Sequence, residues 1–472
     1  MKNHISHLIF QSRFYSNGIH LKRYLKTCCL FLAVVSCSNF IEVDAPKNVL
    51  ISETVFENAS TVESAMANIY YRMREEGMAT YGLSAHLGLY ADELDYYYAD
   101  FNLLSLYTNS LLPENSIVLE YWKNTYSIIY ATNDVIEGVT KSTTLTVEEK
   151  EKFKGQALFI RGYLHSLLVS LYGDIPYIKT TDYIENNTTA RRPKNDVYQS
   201  ILADVVLAQS LMTTDDPTGM SVIPNRSAAT ALLANIYLKL ENWELAEHNA
   251  TELIEAFQLE PDLNKVFIKD SKETIWQFKD DLITSRNTFQ ANQFIIKAIP
   301  GQTYSLTNTV LDAFETDDLR RSSWVGSFTS NDGLTTLYYP YKYKASLSDK
   351  ESLEFSIVFR LAEQYLIRAE ARAHLGNVSG AKNDLDVIRN RAGLEATTAA
   401  TKVDILDAIL QERFVELFSE QGHRWFDLKR TGRDGDILGA YKPNYQPTDA
   451  LWPIPETELE INPKLRPQNS GY

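Results

Sequence analysis

Cysteine is almost absent from this 472-residue chain, and its three copies, Cys28, Cys29 and Cys37, all lie close to the amino terminus. A disulfide framework, a cysteine-ligated zinc site and a thiol nucleophile are therefore excluded from everything after Cys37. Proline and glycine number only 15 and 20, which excludes collagen-like and linker-like chains. With 44% apolar and 23% charged residues, the composition predicts a globular protein.

Motifs of the common catalytic classes are also missing. The chain has no Walker-type phosphate loop, no G-x-G-x-x-G turn, no G-x-S-x-G elbow and no histidine pair at metal-ligand spacing. The acidic clusters Asp92/Glu93/Asp95 and Asp317/Asp318 could supply the carboxylates of a glycoside hydrolase, but 61 acidic residues produce such clusters by chance. We therefore predict no catalytic residues and no metal ligands from these motifs, with a surface hydrolase as an alternative.

Positive charge is scarce beyond the amino terminus. Residues 1–36 carry five Lys or Arg residues and no acid, so the remainder is more acidic than the net charge of −15 for the whole chain. Nucleic-acid phosphates need Lys and Arg to displace counterions, so we predict no nucleic-acid partner. Anionic lipid headgroups would also repel this body, so attachment to a membrane would require acyl chains.

The amino terminus is typical of a secretory signal. A basic cluster at 22–26 precedes the apolar run C-C-L-F-L-A-V-V at 28–35, which is too short to span a bilayer as a helix. The following S-C resembles a bacterial lipobox, in which the peptide is cut before the cysteine and the thiol is acylated. We predict a signal peptide over 1–36 and lipidation of Cys37, with an ordinary signal peptide as the alternative.

Helical periodicity dominates the rest of the chain. Apolar residues recur at i, i+3, i+4 and i+7, as on the buried face of an amphipathic helix. The segments with this pattern are 61–76, 117–137, 147–172, 196–212, 227–240, 244–257, 355–374, 378–391 and 403–419. Short β-like runs stand at 273–279, 294–298 and 337–344.

Two pairs of helices share one spacing pattern. Ala234 and Ala246 are twelve positions apart in the first pair, and Ala369 and Ala381 repeat this interval in the second. Small residues at these positions let antiparallel helices approach closely, which resembles the tetratricopeptide helix–turn–helix unit.

The predicted fold is therefore mainly α. Tetratricopeptide-like hairpins are expected at about 55–258 and 355–425, packed together around a loop-rich, partly β insertion at about 260–354. We expect this insertion to form the ligand face, because long irregular segments rich in aromatic residues are usually functional.

Tyrosine is abundant, with 28 copies, and several aromatic residues stand in irregular segments. Flat aromatic faces beside amide and guanidinium groups suit sugar rings, and peptides nearly as well. Packing of the loops onto the helical body is the alternative for each residue. The predicted ligand-binding residues are Tyr96, Tyr97, Tyr98, Phe101, Arg286, Asn287, Phe289, Asn292, Tyr304, Trp324 and Tyr338.

The order of several motifs from Cys37 to the end of the chain resembles the SusD/RagB family of outer-membrane nutrient-binding lipoproteins. The motifs are C-S-N-F-I-E-V-D-A-P (37–46), Y-W-K-N-T-Y-S-I-I-Y-A-T-N-D-V-I (121–136), G-Q-A-L-F-I-R-G-Y-L-H-S-L-L-V-S-L-Y-G-D-I-P (155–176), R-S-A-A-T-A-L-L-A-N-I-Y-L (226–238), R-L-A-E-Q-Y-L-I-R-A-E-A (360–371), E-R-F-V-E-L-F-S-E-Q-G-H-R-W-F-D-L-K-R-T-G (412–432) and L-W-P-I-P-E-T-E-L-E-I-N-P (451–463). In such a binder, Glu416, Arg424, Trp425 and Asp427 would join the last helices to the body through buried, paired charges.

The resemblance implies a single SusD-like body over 37–472, lipid-anchored in the outer membrane and facing the outside. It would capture an oligosaccharide and deliver it to a SusC-like TonB-dependent channel, without catalysis and without a cofactor. Two alternatives are a RagB-like peptide-uptake lipoprotein and a helical-repeat scaffold for another protein, without a small-ligand site.

Overall fold

The structure is a computed structural model and describes residues 52–76, 81–279 and 287–472. The predicted signal peptide, the lipidation site Cys37 and the predicted ligand residue Arg286 lie outside the described residues. Residues Val55–Tyr472 form one compact unit.

Helices make up most of the described chain, which confirms the predicted fold class. The first ten are α1 (Ser52–Val55), α2 (Ala59–Glu75), α3 (Tyr81–Tyr90), α4 (Phe101–Tyr107), α5 (Ser116–Lys141), α6 (Val147–Tyr172), α7 (Tyr183–Asn186), α8 (Lys194–Leu211), α9 (Arg226–Lys239) and α10 (Trp243–Ala256). After them come α11 (Phe289–Phe294), α12 (Asn308–Ala313), α13 (Leu319–Ser323), α14 (Leu361–His374), α15 (Val378–Arg391), α16 (Lys402–Leu417), α17 (His423–Arg430), α18 (Asp434–Tyr441) and α19 (Glu456–Ile461).

The strands are short and pair two by two. They are β1 (Leu94–Tyr96), β2 (Thr274–Phe278), β3 (Tyr304–Leu306), β4 (Val325–Thr329), β5 (Thr336–Pro340) and β6 (Ser356–Arg360). Each pair is antiparallel: β1 with β3, β2 with β6, and β4 with β5. Two of these pairs join segments that are far apart in sequence, so the strands fasten loops onto the helical body.

Most predicted helices have the expected bounds within a few residues, and those at 147–172 and 378–391 coincide with α6 and α15. The prediction of one helix over 355–374 is wrong at its start. Residues 356–360 form the fully buried strand β6, and periodicity alone does not separate a short apolar strand from a helix.

The predicted β-like run at 294–298 is also wrong. Phe294 instead closes α11, which begins after Thr288, whose side chain accepts a hydrogen bond from the backbone N–H of Ala291. An N-cap of this kind satisfies a backbone donor at the helix start and favours helix over strand locally.

The core is organised around α6. Every side chain from 155 to 172 is buried, and this helix packs against α5 on one side and α8 on another. The indole rings of Trp276, Trp425 and Trp452 are completely buried in the same hydrophobic cluster. Among the described residues, none of the helices has both the length and the apolar character that crossing a membrane requires.

The repeated helix pairs are real hairpins with matching dimensions. The helices α9, α10, α14 and α15 each contain 14 residues. In both hairpins an asparagine caps the second helix: Asn242 accepts from the Leu245 N–H, and Asn377 from the Gly380 N–H. The two hairpins pack against each other through a cluster that includes Ala234, Ala246, Ala250, Ile367 and Ala371.

A buried network of charges ties the insertion to the last helices. Its centre is Glu416, on α16, whose side chain is fully buried. The Arg320 Nη1 lies 3.0 Å from one carboxylate oxygen of Glu416, and the Arg360 Nη1 lies 2.6 Å from the other. Arg391 also pairs with this carboxylate. Burial alone would raise the pKa of Glu416, but the Arg391, Arg360 and Arg320 guanidinium groups hold it well below its usual range.

Further carboxylates complete the network. Arg320 also pairs with Asp318 and Glu412, and Arg360 with Glu273 and Glu420. Burying charges costs several kcal/mol per ion unless each is paired and hydrogen-bonded. The many partners of these groups meet that condition.

The predicted role of the last-helix residues is confirmed. The Arg424 guanidinium forms two hydrogen bonds with Asp92, at 2.8 and 2.7 Å, and Asp427 pairs with Arg413. The Trp425 ring packs edge-on against Tyr90, with 4.8 Å between ring centroids. These residues join α17 to the body of the protein.

The hairpin connections allow a matched test of backbone strain. Glu241 has a φ of +57°, and Gly376, at the equivalent position, has a φ of +85°. A non-glycine residue in the left-handed region destabilises the folded state by about 1–2 kcal/mol, a penalty that glycine avoids. Glycine in turn loses more backbone entropy on folding, which lowers the free energy of unfolding by about 0.5–1 kcal/mol. We expect Glu241→Gly to raise the free energy of unfolding by about 0.5–1 kcal/mol and Gly376→Glu to lower it, as measured by urea unfolding. Changes of the same sign in both variants would contradict this account.

Glu416 should be the costliest single carboxylate to neutralise. Glu416→Gln removes the negative charge that three buried guanidinium groups share. We therefore expect a loss of about 3 kcal/mol in the free energy of unfolding. Glu76→Gln is the matched control, because Glu76 is 45% exposed and pairs with Arg72 at the surface; its effect should stay below about 0.5 kcal/mol. Equal losses in the two variants, measured by urea unfolding, would rule out the central position of Glu416.

Candidate ligand-binding site

Strand pairing brings two of the predicted ligand regions together. In the β1–β3 pair, Leu94 lies opposite Leu306, Asp95 opposite Ser305 and Tyr96 opposite Tyr304. The backbone N–H of Tyr97 continues the pairing by donating to the Thr303 carbonyl at 3.2 Å. The irregular segment after α3 therefore lies directly beside the insertion.

Three aromatic side chains project from this junction into solvent. Tyr97 is 42% exposed, Tyr98 51% and Phe101 62%, and the half-buried Tyr96 lies beside them. We call these four residues the aromatic face. The Tyr97 hydroxyl lies 2.9 Å from the Ser305 hydroxyl, and the Tyr98 hydroxyl donates to the Gly301 carbonyl at 3.3 Å. These contacts hold two rings in place while leaving much of their surface open.

Other predicted residues lie around the same strand. Helix α11, which carries the half-buried Phe289 and the exposed Asn292, contacts β3. Strand β5, which carries the half-buried Tyr338, also contacts β3, and the Arg321 guanidinium stands 4.6 Å from the centre of the Tyr338 ring. The structure thus gathers the predicted residues around β3, although not on one continuous surface.

The prediction is corrected for three ligand residues, because the structure shows their side chains buried and already hydrogen-bonded within the protein. Trp324 is completely buried, and its indole N–H donates to the Leu263 carbonyl at 2.9 Å. Tyr304 is 2% exposed, and its hydroxyl lies 2.9 Å from that of Tyr81.

The third is Asn287, which is also completely buried. Its amide nitrogen donates to the carbonyls of Ser346 and Glu351, and its amide oxygen accepts from the N–H groups of Leu353 and Glu354. All of its hydrogen-bonding groups therefore serve to close the loop that precedes β6.

The carboxylates beneath the aromatic face are engaged in structural contacts. Asp92 and Glu93 are buried, Asp92 with Arg424 and Glu93 with the backbone N–H of Ser419 at 2.9 Å. Burial raises the pKa of Glu93 to about 7. Asp95 accepts a hydrogen bond at 3.1 Å from the Tyr107 hydroxyl, whose pKa burial raises to about 12. None of the three points freely at the exposed rings.

Sequence reasoning missed some of the residues that shape this surface. Asp100 caps α4 by accepting from the Leu103 N–H at 2.9 Å, which places Phe101 at the start of the helix. The Asp-Phe-Asn sequence at 100–102 is a recognisable N-cap signal. Leu104, on α4, and Leu112, in the loop after it, are 38% and 48% exposed, but nothing in the sequence distinguishes them from buried leucines.

A metal centre does not form among the described residues, where no group of three or more His, Cys, Asp or Glu side chains could hold an ion. The exposed rings of the aromatic face offer stacking surfaces, and the hydroxyls of its tyrosines can form hydrogen bonds.

Two protein-family models match this chain, and together they span most of its length. The family model described as "SusD family" matches residues 277–472, and the model described as "Starch-binding associating with outer membrane" matches residues 39–238. The chain is similar to SusD-like protein P2 of Formosa agariphila, with 27% identity over 96% of this chain and 100% of that protein. It is also similar to SusD-like protein P25 of the same organism, with 24% identity over 94% and 98%.

Solved structures share the fold. A SusD superfamily protein from Bacteroides vulgatus has a TM-score of 0.79 and 22% identity, covering 88% of this chain and 100% of that one. A laminarin-binding SusD-like protein has a TM-score of 0.75 and 18% identity, with the same coverage. A SusD-like carbohydrate-binding protein from Bacteroides fragilis has a TM-score of 0.76 and 18% identity, again with 88% and 100% covered.

Proposed function

Because this chain belongs to the SusD/RagB family of outer-membrane proteins, we propose that it captures an oligosaccharide on the aromatic face and delivers it to a SusC-like TonB-dependent channel. In this proposal acylated Cys37 anchors the protein and the aromatic face is turned to the outside of the cell. The protein binds its ligand without changing it and needs no cofactor.

The exposure of Tyr97, Tyr98 and Phe101 on one surface carries this proposal. Large aromatic side chains usually bury most of their area, and clustered exposure of such rings marks a binding surface. The axial C–H groups of a pyranose can pack on these rings, while its hydroxyls meet the tyrosine hydroxyls and the Asp100 carboxylate. Because the tyrosine hydroxyls are already tethered, little ordering is needed when a ligand binds.

Relatives favour a glycan over a peptide as the ligand. One matching family model is described as starch-binding, and two similar structures are described as laminarin-binding and carbohydrate-binding. These descriptions belong to those proteins, but they support the class of ligand proposed for this chain. A RagB-like peptide ligand is the competing outcome that a binding panel has to address.

Substitution on the aromatic face should weaken glycan binding. We expect Tyr97→Ala combined with Phe101→Ala to raise the Kd at least roughly thirtyfold, equivalent to about 2 kcal/mol, because two stacking surfaces are removed. The measurement is calorimetric titration with oligosaccharides from laminarin, starch, xylan and mannan. Tyr71→Ala is the matched control, because Tyr71 is 49% exposed on α2, outside this face.

The result that would contradict the placement is an unchanged Kd in the double variant. A parallel titration with a peptide library addresses the competing ligand class. Peptide binding that depends on Tyr97 and Phe101, with no glycan bound, would replace the oligosaccharide in this proposal by a peptide.

The proposed lack of hydrolysis can be measured directly. A glycosidase needs two available carboxyl groups on either side of the bond that is cleaved, whereas Asp92 and Glu93 are buried and engaged. Prolonged incubation of the protein with each polysaccharide should release no reducing ends above a protein-free blank. If the wild-type protein released reducing ends and the Asp95→Asn variant did not, the protein would be an enzyme instead.

A further inference from the structure

A second cleft with aromatic walls shares no residue with the aromatic face. It is formed by α5, the segment at 176–187 and α19, and it has a volume of about 240 Å³. Its lining includes Trp122, Tyr126, Tyr130, Tyr183 and Glu458. None of these residues belongs to the set predicted from the sequence.

Two tyrosines at this cleft are unusually open to solvent. Tyr130 is 45% exposed on α5, and Tyr183 is 67% exposed at the start of the one-turn helix α7. Nothing among the described residues hydrogen-bonds either hydroxyl. Packing against the body does not account for side chains with this much free surface.

Hydrogen bonds within the protein hold the walls of the cleft in place. The Tyr126 hydroxyl donates to the Pro176 carbonyl at 2.8 Å, and the Asn462 amide donates to the Thr189 carbonyl at 2.8 Å. Asn186 is fixed in the same way by its amide, which donates to the Thr180 carbonyl at 2.8 Å. The walls are thus preorganised, which lowers the cost of ordering on binding.

The polar groups of the cleft suit hydroxyls rather than ions. The half-buried Glu458 carboxylate lines the cleft together with Trp122, and burial raises the pKa of Glu458 although Trp122 and the nearby Lys123 oppose that shift. The exposed Asn187 side chain makes no hydrogen bond to another described residue. A carboxylate, an amide and one lysine provide both donors and acceptors, with no cluster of charge of either sign.

We propose that this cleft is a second carbohydrate site, which takes one pyranose ring of a neutral glycan. The ring stacks between Tyr130 and Tyr183, and its hydroxyls bond to Glu458 and Asn187. The cleft is smaller than sites that enclose drug-sized ligands, so it holds one ring of a chain and not a whole oligosaccharide. It shares no residue with the aromatic face, so it does not depend on the function proposed for that face.

The Trp122 indole N–H provides a direct reporter. The protein is labelled with nitrogen-15 in its tryptophan side chains, and Trp122→Phe identifies the Trp122 resonance. Laminarihexaose, maltohexaose, xylohexaose and mannohexaose are titrated separately. We expect at least one of them to shift the Trp122 resonance in a saturable manner, because Trp122 lines the cleft together with Glu458, which would bond to the sugar. If none of the four shifts this resonance, the proposal is wrong, whatever happens at the aromatic face.

Matched variants locate the binding. Tyr130→Ala combined with Tyr183→Ala should weaken the titration at least roughly tenfold, and Glu458→Gln should weaken it less while keeping the fold. Tyr97→Ala with Phe101→Ala should leave the Trp122 titration unchanged, which separates this site from the aromatic face. An unchanged titration in the Tyr130/Tyr183 variant would overturn the proposal.

Discussion

The ion pairs around Glu416 are the contact on which the arrangement of the insertion depends. Arg320 comes from the middle of the insertion and Arg360 from strand β6, which follows it, and both reach the same carboxylate on α16. A buried guanidinium without its partner would be strongly unfavourable, so neither segment can move away independently. Trp324 packs beside this network, with Arg360 and Arg391 near its ring. Its burial follows from that position, because the ring fills the space between the charges and the core.

The aromatic face depends on this anchoring through β3. Strand β3 belongs to the insertion and pairs with β1, which directly precedes the exposed tyrosines. On the other side, Asp92 and Glu93 fix the start of β1 to the last helices through Arg424 and the Ser419 backbone. The backbone that leads into the exposed rings is thus held at its start by the buried carboxylates of Asp92 and Glu93, and along its length by pairing with β3. A rigid base with open rings is the arrangement expected of a binding surface that works without a conformational change.

The sequence predicts the helices much better than the site, for a physical reason. Helical periodicity is a local property, and the segments at 147–172 and 378–391 carry it strongly enough to define α6 and α15. The burial of a loop residue depends on partners far away in sequence. Trp324 donates to Leu263 and Tyr304 lies against Tyr81, and no local pattern contains these contacts. The aromatic composition therefore draws attention to these segments, but it does not tell which of their rings point outward.

Exposure combined with tethering separates the rings that can bind from those that pack. Tyr97 and Tyr98 are exposed and hydrogen-bonded at their tips, whereas Tyr304 and Trp324 are bonded but buried. Tyr130 and Tyr183 meet only the first part of this criterion: their rings are open, but their own hydroxyls make no hydrogen bond to another described residue. The fixed parts of that cleft are its walls, held by Tyr126 and Asn462, so these two rings have more freedom to lose when a ligand binds.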